Sequence, residues 1–133
     1  MTAATDCPFC HPDPARLAWD EAPLVRALWD GFPVSPGHAL VVPRRHAAGW
    51  DDLTAAEQQA LFDAIGRVRE LIAGRHAPDG FNVGFNDGPS AGQTVLHFHL
   101  HVIPRYAGDA PDPRGGVRWV LPHKAAYWQG GKK

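Results

Sequence analysis

His97-Phe98-His99-Leu100-His101-Val102-Ile103 alternates imidazoles with apolar side chains without a break. A β-strand sends successive side chains to opposite faces. Read that way, the stretch buries Phe98, Leu100 and Val102 and gathers His97, His99 and His101 on the other face. Neighbours on one face stand roughly 6.5–7 Å apart along a strand, near enough for three rings to surround one small polar ligand. A helix would scatter them.

Three readings of those rings stay open on the residues alone. The first is a solvent-facing strand that happens to be histidine-rich. The second is a metal site, since neutral imidazole binds zinc and related ions, although no Asp or Glu lies on this stretch to help. The third is nucleophilic and acid–base work on a phosphate, because imidazole attacks phosphorus at neutral pH and leaves again. Just upstream, Gly92-Gln93-Thr94 offers an amide and a hydroxyl, and Asn86 offers another amide. Beside three imidazoles these groups would make an oxyanion cradle. Each of them is also ordinary loop material.

Working outward, short apolar runs at Leu17–Trp19, Leu24–Trp29 and His38–Val42 are bounded by Pro23, Gly31, Pro33, Pro36-Gly37 and Pro43, the punctuation of short strands and turns. Thr54 with Glu57 is a capping-box signature. Behind it Leu61, Ile65, Val68 and Ile72 recur at helical spacing, which predicts one long helix from Thr54 to Ala73 with Gly74 as its stop. Phe81–Asn86 and Gln93–Ile103 read as two further strands. Strands, one helix and more strands predict an α+β fold with a mainly antiparallel meander sheet of about five strands.

Composition narrows the function. The chain has 133 residues, 44% of them hydrophobic and 20% charged, which is enough to bury the core of one domain. Thirteen Lys and Arg against 14 Asp and Glu leave a formal net charge of −1, without the basic excess that extended nucleic acid demands. No apolar run approaches the roughly 20 residues of a membrane span. The opening residues lack the basic-then-apolar pattern of a signal peptide, so a cytoplasmic protein is expected. The only cysteines, Cys7 and Cys10, form one C-x-x-C, a spacing that favours metal or redox chemistry.

The run from Gly92 to Ile103 closely resembles the signature of the histidine-triad (HIT) family, three histidines alternating with apolar residues. Pro36-Gly37-His38-Ala39-Leu40-Val41-Val42-Pro43 looks like that family's other landmark, a strand with a fourth histidine. Asp30 and Asn86 also sit at matching positions. The resemblance covers roughly Cys7 to Tyr106. It implies a single HIT domain over 1–133, working as a two-fold homodimer on a small nucleotide, a purine by family precedent, with no catalytic metal.

By similarity, His99 is the nucleophile that forms a nucleotidyl-histidine, and His101 contacts the phosphate and assists the leaving group. His38 supports the triad from the neighbouring strand, through His97. Gln93 and Thr94 hold the phosphate or leaving group with Asn86 close by, and Asp30 accepts from the ribose hydroxyls. Asp30 reads equally well as a turn residue before Gly31. The activity implied is hydrolysis or transfer at the α-phosphate of a dinucleoside polyphosphate or nucleoside phosphoramidate. The rival is a nucleotide-binding, zinc-stabilised interaction module with little turnover.

Many bacterial members of the family carry an N-terminal C-x-x-C that binds structural zinc. Here the ligands would be Cys7, Cys10, His46 and His97, tying the segment 1–14 to the catalytic strand. The alternative is two free thiols and a surface histidine after Arg44-Arg45. The tail 108–133 includes Trp119, Tyr127 and Trp128 and is too aromatic to be a solvent tail. In the family such a tail often crosses the dimer to the partner's site, where Arg118 or Trp119 would shape leaving-group choice. Packing on its own subunit is the alternative.

Overall fold

The computed structural model describes residues 6–130, so the first five residues of the expected N-terminal segment and the last three of the tail lie outside the described residues. Five strands form one sheet: β1 (Leu17–Trp19), β2 (Val25–Trp29), β3 (Ala39–Pro43), β4 (Gly80–Phe85) and β5 (Leu100–Arg105). Their order is β1-β2-β3-β5-β4, and every neighbouring pair is antiparallel. The first three strands make the expected meander. The chain then leaves along a helix, lays β4 on the outer edge and returns with β5 between β3 and β4.

That helix, α1 (Ala55–Arg75), forms for the reason the sequence announced. The Thr54 hydroxyl accepts from the Glu57 amide at 3.1 Å, and the Glu57 carboxylate accepts from the Thr54 amide at 2.8 Å. Two orphan donors of the first turn are thereby satisfied. Gly74 does not stop the helix. The chain continues to Arg75 and is capped by His76, whose amide donates to the Ile72 carbonyl at 2.9 Å. A glycine in a last turn weakens a helix without breaking it, and Pro78 lies just beyond.

Leu61, Ala64, Val68 and Ile72 of α1 pack on Val25, Ala27, Val41, Leu100 and Val102 of the sheet, with Phe98 between them. Leu61, Val68 and Ile72 are fully buried, and each such side chain contributes roughly 1.5–3 kcal/mol. The opposite face of the sheet carries a smaller cluster, Leu28, Leu40 and Val42 covered by Cys7 and Phe9. Strand β3 lies between these layers and is buried at all five residues.

The strand expected over Gln93–Ile103 is shorter at its start: β5 begins at Leu100 and runs on to Arg105. Residues 93–99 form an irregular lead-in. Both amide hydrogens of Gln93 go to main-chain carbonyls, Ala48 at 2.7 Å and Val95 at 3.0 Å, and the Phe98 amide donates to Ala47 at 2.7 Å. These bonds satisfy the loop in place of a sheet ladder. The side-chain alternation survives, since Phe98, Leu100 and Val102 all enter the helix-side core.

The turn before His38 needs Gly37, whose φ is +90° and whose missing Cβ would stand 2.8 Å from the His76 ring. After β5 the tail packs on its own chain through a 3-10 turn (Gly116–Val120) and the short helix α2 (Tyr127–Gly130). The Trp119 indole donates to the Arg114 carbonyl at 2.7 Å, and the Arg114 guanidinium lies 4.6 Å over Trp128. No helix among the described residues is long and apolar enough to cross a membrane.

Candidate active site and metal-ligand cluster

Cys7, Cys10, His46 and His97 converge on one point. Cys10 Sγ lies 3.2 Å from His46 Nδ1 and 3.4 Å from His97 Nδ1, Cys7 Sγ lies 3.3 Å from His97 Nδ1, and the two ring nitrogens are 3.2 Å apart. The Pro-containing turn from Cys7 brings the thiols together, with the Cys10 amide donating to Cys7 Sγ at 3.4 Å. His97 Nε2–H donates to the Pro43 carbonyl at 2.8 Å, which fixes the tautomer and aims the Nδ1 lone pair at the thiols.

The donor set fits a zinc-type ion: two sulfurs and two imidazoles, whose ligand atoms all lie within 4.8 Å of one another. Burial holds the His97 ring neutral, with its pKa down at about 4. Burial and the Cys7 neighbour push the Cys10 thiol up to about 11, so without a cation that thiol keeps its proton. A divalent ion would reverse that balance and give every lone pair a partner.

The remaining histidines form a second system. His99 is buried, and its Nδ1–H donates to the His97 carbonyl at 2.9 Å, leaving Nε2 as an unprotonated lone pair. His38 Nδ1 accepts from the Val34 amide at 3.1 Å, so its proton sits on Nε2. That Nε2–H donates to His101 Nδ1 at 2.9 Å, with Asp30 Oδ2 alongside at 3.4 Å. His101 therefore carries its proton on Nε2. Its ring is 5.2 Å from that of His99, centroid to centroid. Burial pulls His38 below the usual histidine range, partly offset by Asp30, and takes His101 down to about 4, with His99 and His38 adding to the fall. His38 meets His101; the partner expected for it, His97, is engaged with the thiols instead.

Asp30 takes the turn role expected for it and a second contact that the sequence did not indicate. Oδ1 caps the turn by accepting from the Phe32 amide at 2.7 Å, and Oδ2 faces His38. Thr94 lies exposed on the lead-in loop. Gln93 differs from expectation: its two N–H groups hold the loop, and its carbonyl oxygen accepts from Gly88 at 2.9 Å, leaving no side-chain donor for a phosphate. Asn86 lines an open cleft of about 440 Å³ with Val34, His38, His101, Val117 and Val120. The tail thus supplies one wall of this cleft from the same chain.

Two contributors escaped the sequence. Phe9, between the cysteines, sets its ring 5.0 Å from that of His99 and 5.8 Å from that of His97. Its place inside the C-x-x-C was the available signal. The Val34 amide, which fixes the protons of His38, had none.

An open antiparallel sheet with one crossing helix and four clustered histidines defines a histidine-triad protein. The HIT domain profile matches residues 18–108, and the chain belongs to the HIT family. An AP-4-A phosphorylase of Mycobacterium tuberculosis is 42% identical over 88 residues, 65% of this chain and 45% of that protein. A bis(5'-nucleosyl)-tetraphosphatase (asymmetrical) of Schizosaccharomyces pombe is 42% identical over 77 residues, 58% of this chain and 42% of that one. The chain therefore spans less than half the length of these relatives. A zinc-bound histidine triad family protein of Mycobacterium smegmatis superimposes with a TM-score of 0.70 at 28% identity, over 97% of this chain and 100% of that one.

Proposed function

We propose that the chain is a nucleotide hydrolase or transferase acting at the α-phosphate of a dinucleoside polyphosphate or nucleoside phosphoramidate. One observation carries the reading: His99 donates from Nδ1 to a main-chain carbonyl and so keeps Nε2 as a lone pair beside a second, neutral imidazole. The AP-4-A phosphorylase and bis(5'-nucleosyl)-tetraphosphatase relatives support dinucleoside polyphosphates as the substrate class. The reading takes 1–133 as one HIT domain with a zinc-binding segment at 1–14 and a tail at 108–133, soluble in the cytoplasm and paired as a homodimer.

His99 Nε2 forms a bond to the α-phosphorus as the bond to the leaving group breaks, and the leaving group departs with the electron pair. The His99 Nδ1–H stays on the His97 carbonyl, which stabilises the positive charge that the ring acquires. His101 Nε2–H donates to a phosphate oxygen as negative charge shifts there. Thr94 and Asn86 add donors, while Asp30 accepts from the ribose hydroxyls. Water or phosphate then attacks the nucleotidyl-histidine, regenerating His99, and a water nucleophile gives up its proton to solvent. Zinc at Cys7, Cys10, His46 and His97, when bound, is structural, holding the ring of His97 and hence its carbonyl.

His99→Ala is expected to reduce turnover of diadenosine tetraphosphate and of adenosine 5'-phosphoramidate to background, with folding and nucleotide binding retained. In the unmodified protein, mass spectrometry of a quenched reaction should find a nucleotide adduct on His99. Unchanged turnover in the variant would remove the covalent mechanism.

A further inference from the structure

We infer that Arg16 reads the base of the bound nucleotide and selects guanine. The inference rests on the nucleotide reading above, with the ribose at Asp30. Gly31 follows Asp30 directly, and the space its missing side chain leaves is filled by the Arg16 guanidinium. A Cβ on Gly31 would stand 3.2 Å from Cζ, 3.3 Å from Nη1 and 3.5 Å from Nη2. Those nearly equal distances mean that the guanidinium lies flat against the glycine. Nε–H is committed, donating to the Trp29 carbonyl at 3.0 Å, and it locks the plane in place. The remaining N–H groups, on Nη1 and Nη2, have no partner among the described residues.

Four other guanidinium groups are closed by carboxylates. Arg44 pairs with Asp20, Arg45 with Glu57, Arg105 with Asp109 and Arg114 with Asp112. Arg16 is half-buried and anchored at one edge, its guanidinium lies against the residue that follows Asp30, and the other edge of its fork is open. Such a fork calls for two acceptors side by side in one plane. In a purine nucleotide held by its ribose at Asp30, the base supplies that pair only if it is guanine, through O6 and N7. Adenine places an amino donor where guanine has O6, so it sets donor against donor.

The test compares guanosine and adenosine substrates on the full-length protein. Diguanosine and diadenosine tetraphosphate should differ in kcat/KM by about tenfold in favour of guanine, the size of effect that one bidentate arginine–guanine contact gives. Arg16→Met should bring the ratio to about one. Arg16→Lys, which keeps the charge and loses the fork, should do the same. Gly31→Ala keeps Arg16 but displaces its guanidinium, and should also erase the preference. GMP against AMP binding, measured by calorimetry, reads the same ratio without turnover. A protein that binds GMP more tightly yet shows no adduct would break the catalytic reading and keep this one. Equal or adenine-favouring binding in the unmodified protein, or a guanine preference that survives Arg16→Met, would overturn it.

Discussion

The two ends of the histidine stretch use the same side chain for opposite purposes. At His97 one ring nitrogen donates to the Pro43 carbonyl and the other turns its lone pair toward two thiols and His46. At His101 one nitrogen accepts from His38, and the other carries a proton toward the cleft. His97 is fully buried and covered by the N-terminal segment, whereas His101 is only partly covered. Histidine chemistry is therefore written by the hydrogen bond on the far nitrogen, and a shared face does not mean a shared job.

The sharpest way to separate the two ends is to remove a thiol. Cys7→Ser should lose bound zinc, read by elemental analysis, and lower Tm by about 10 °C or more, since each kcal/mol moves Tm by roughly 3–5 °C in a domain of this size. An unchanged metal content or Tm would show that the two thiols are free. The second variant works on the other end: His101→Ala should reduce turnover about 100-fold, the effect of deleting one preorganised donor to a phosphate oxygen, with zinc content unchanged. Loss of zinc in that variant would show that the metal-ligand cluster depends on the His101 end of the stretch.

The smallest effect is in pH. Burial depresses His101 to about 4 and lowers His38, against an ordinary value of 6.5. Both rings are neutral in the fold, so the unfolded chain takes up more protons as the solution turns acid. The contribution of this pair is complete above about 6.5 and is lost as pH falls toward about 4. Denaturant midpoints followed by tryptophan fluorescence should decline over that window, and the decline should be shallower in His101→Ala. An identical slope in both proteins would show that the pair does not titrate as described.

Much of the fold was legible because periodicity and punctuation are local signals. The capping box at Thr54, the helical spacing from Leu61 to Ile72, and the burial of Phe98, Leu100 and Val102 all follow from residues near one another in the chain. The start of β5 was not legible, because Gln93 replaces ladder bonds with contacts to Ala48 and Val95, and a glutamine's partners cannot be read from its neighbours. The same holds within the site. That Cys7, Cys10, His46 and His97 meet was inferred from resemblance, and the structure brings them together. That His38 turns to His101 depends on the register of β3 against β5, where Leu40 faces His101, and no local pattern encodes it. Arg16 and Gly31 lie far apart in sequence, and only the β1–β2 pairing places them in contact.

The bond from Val34 to His38 has a further consequence. A main-chain amide does not release its hydrogen, so the line from Val34 through His38 to His101 ends in a fixed source and has no spare acid behind it. In the reaction proposed above, His101 steadies negative charge at neutral pH without discharging a proton. Polyphosphate fragments, the leaving groups of that proposed reaction, depart as stable anions and need no proton from His101. On the same proposal, an amine expelled there takes its proton from a molecule of water, and hydration of the cleft becomes part of the catalytic equipment.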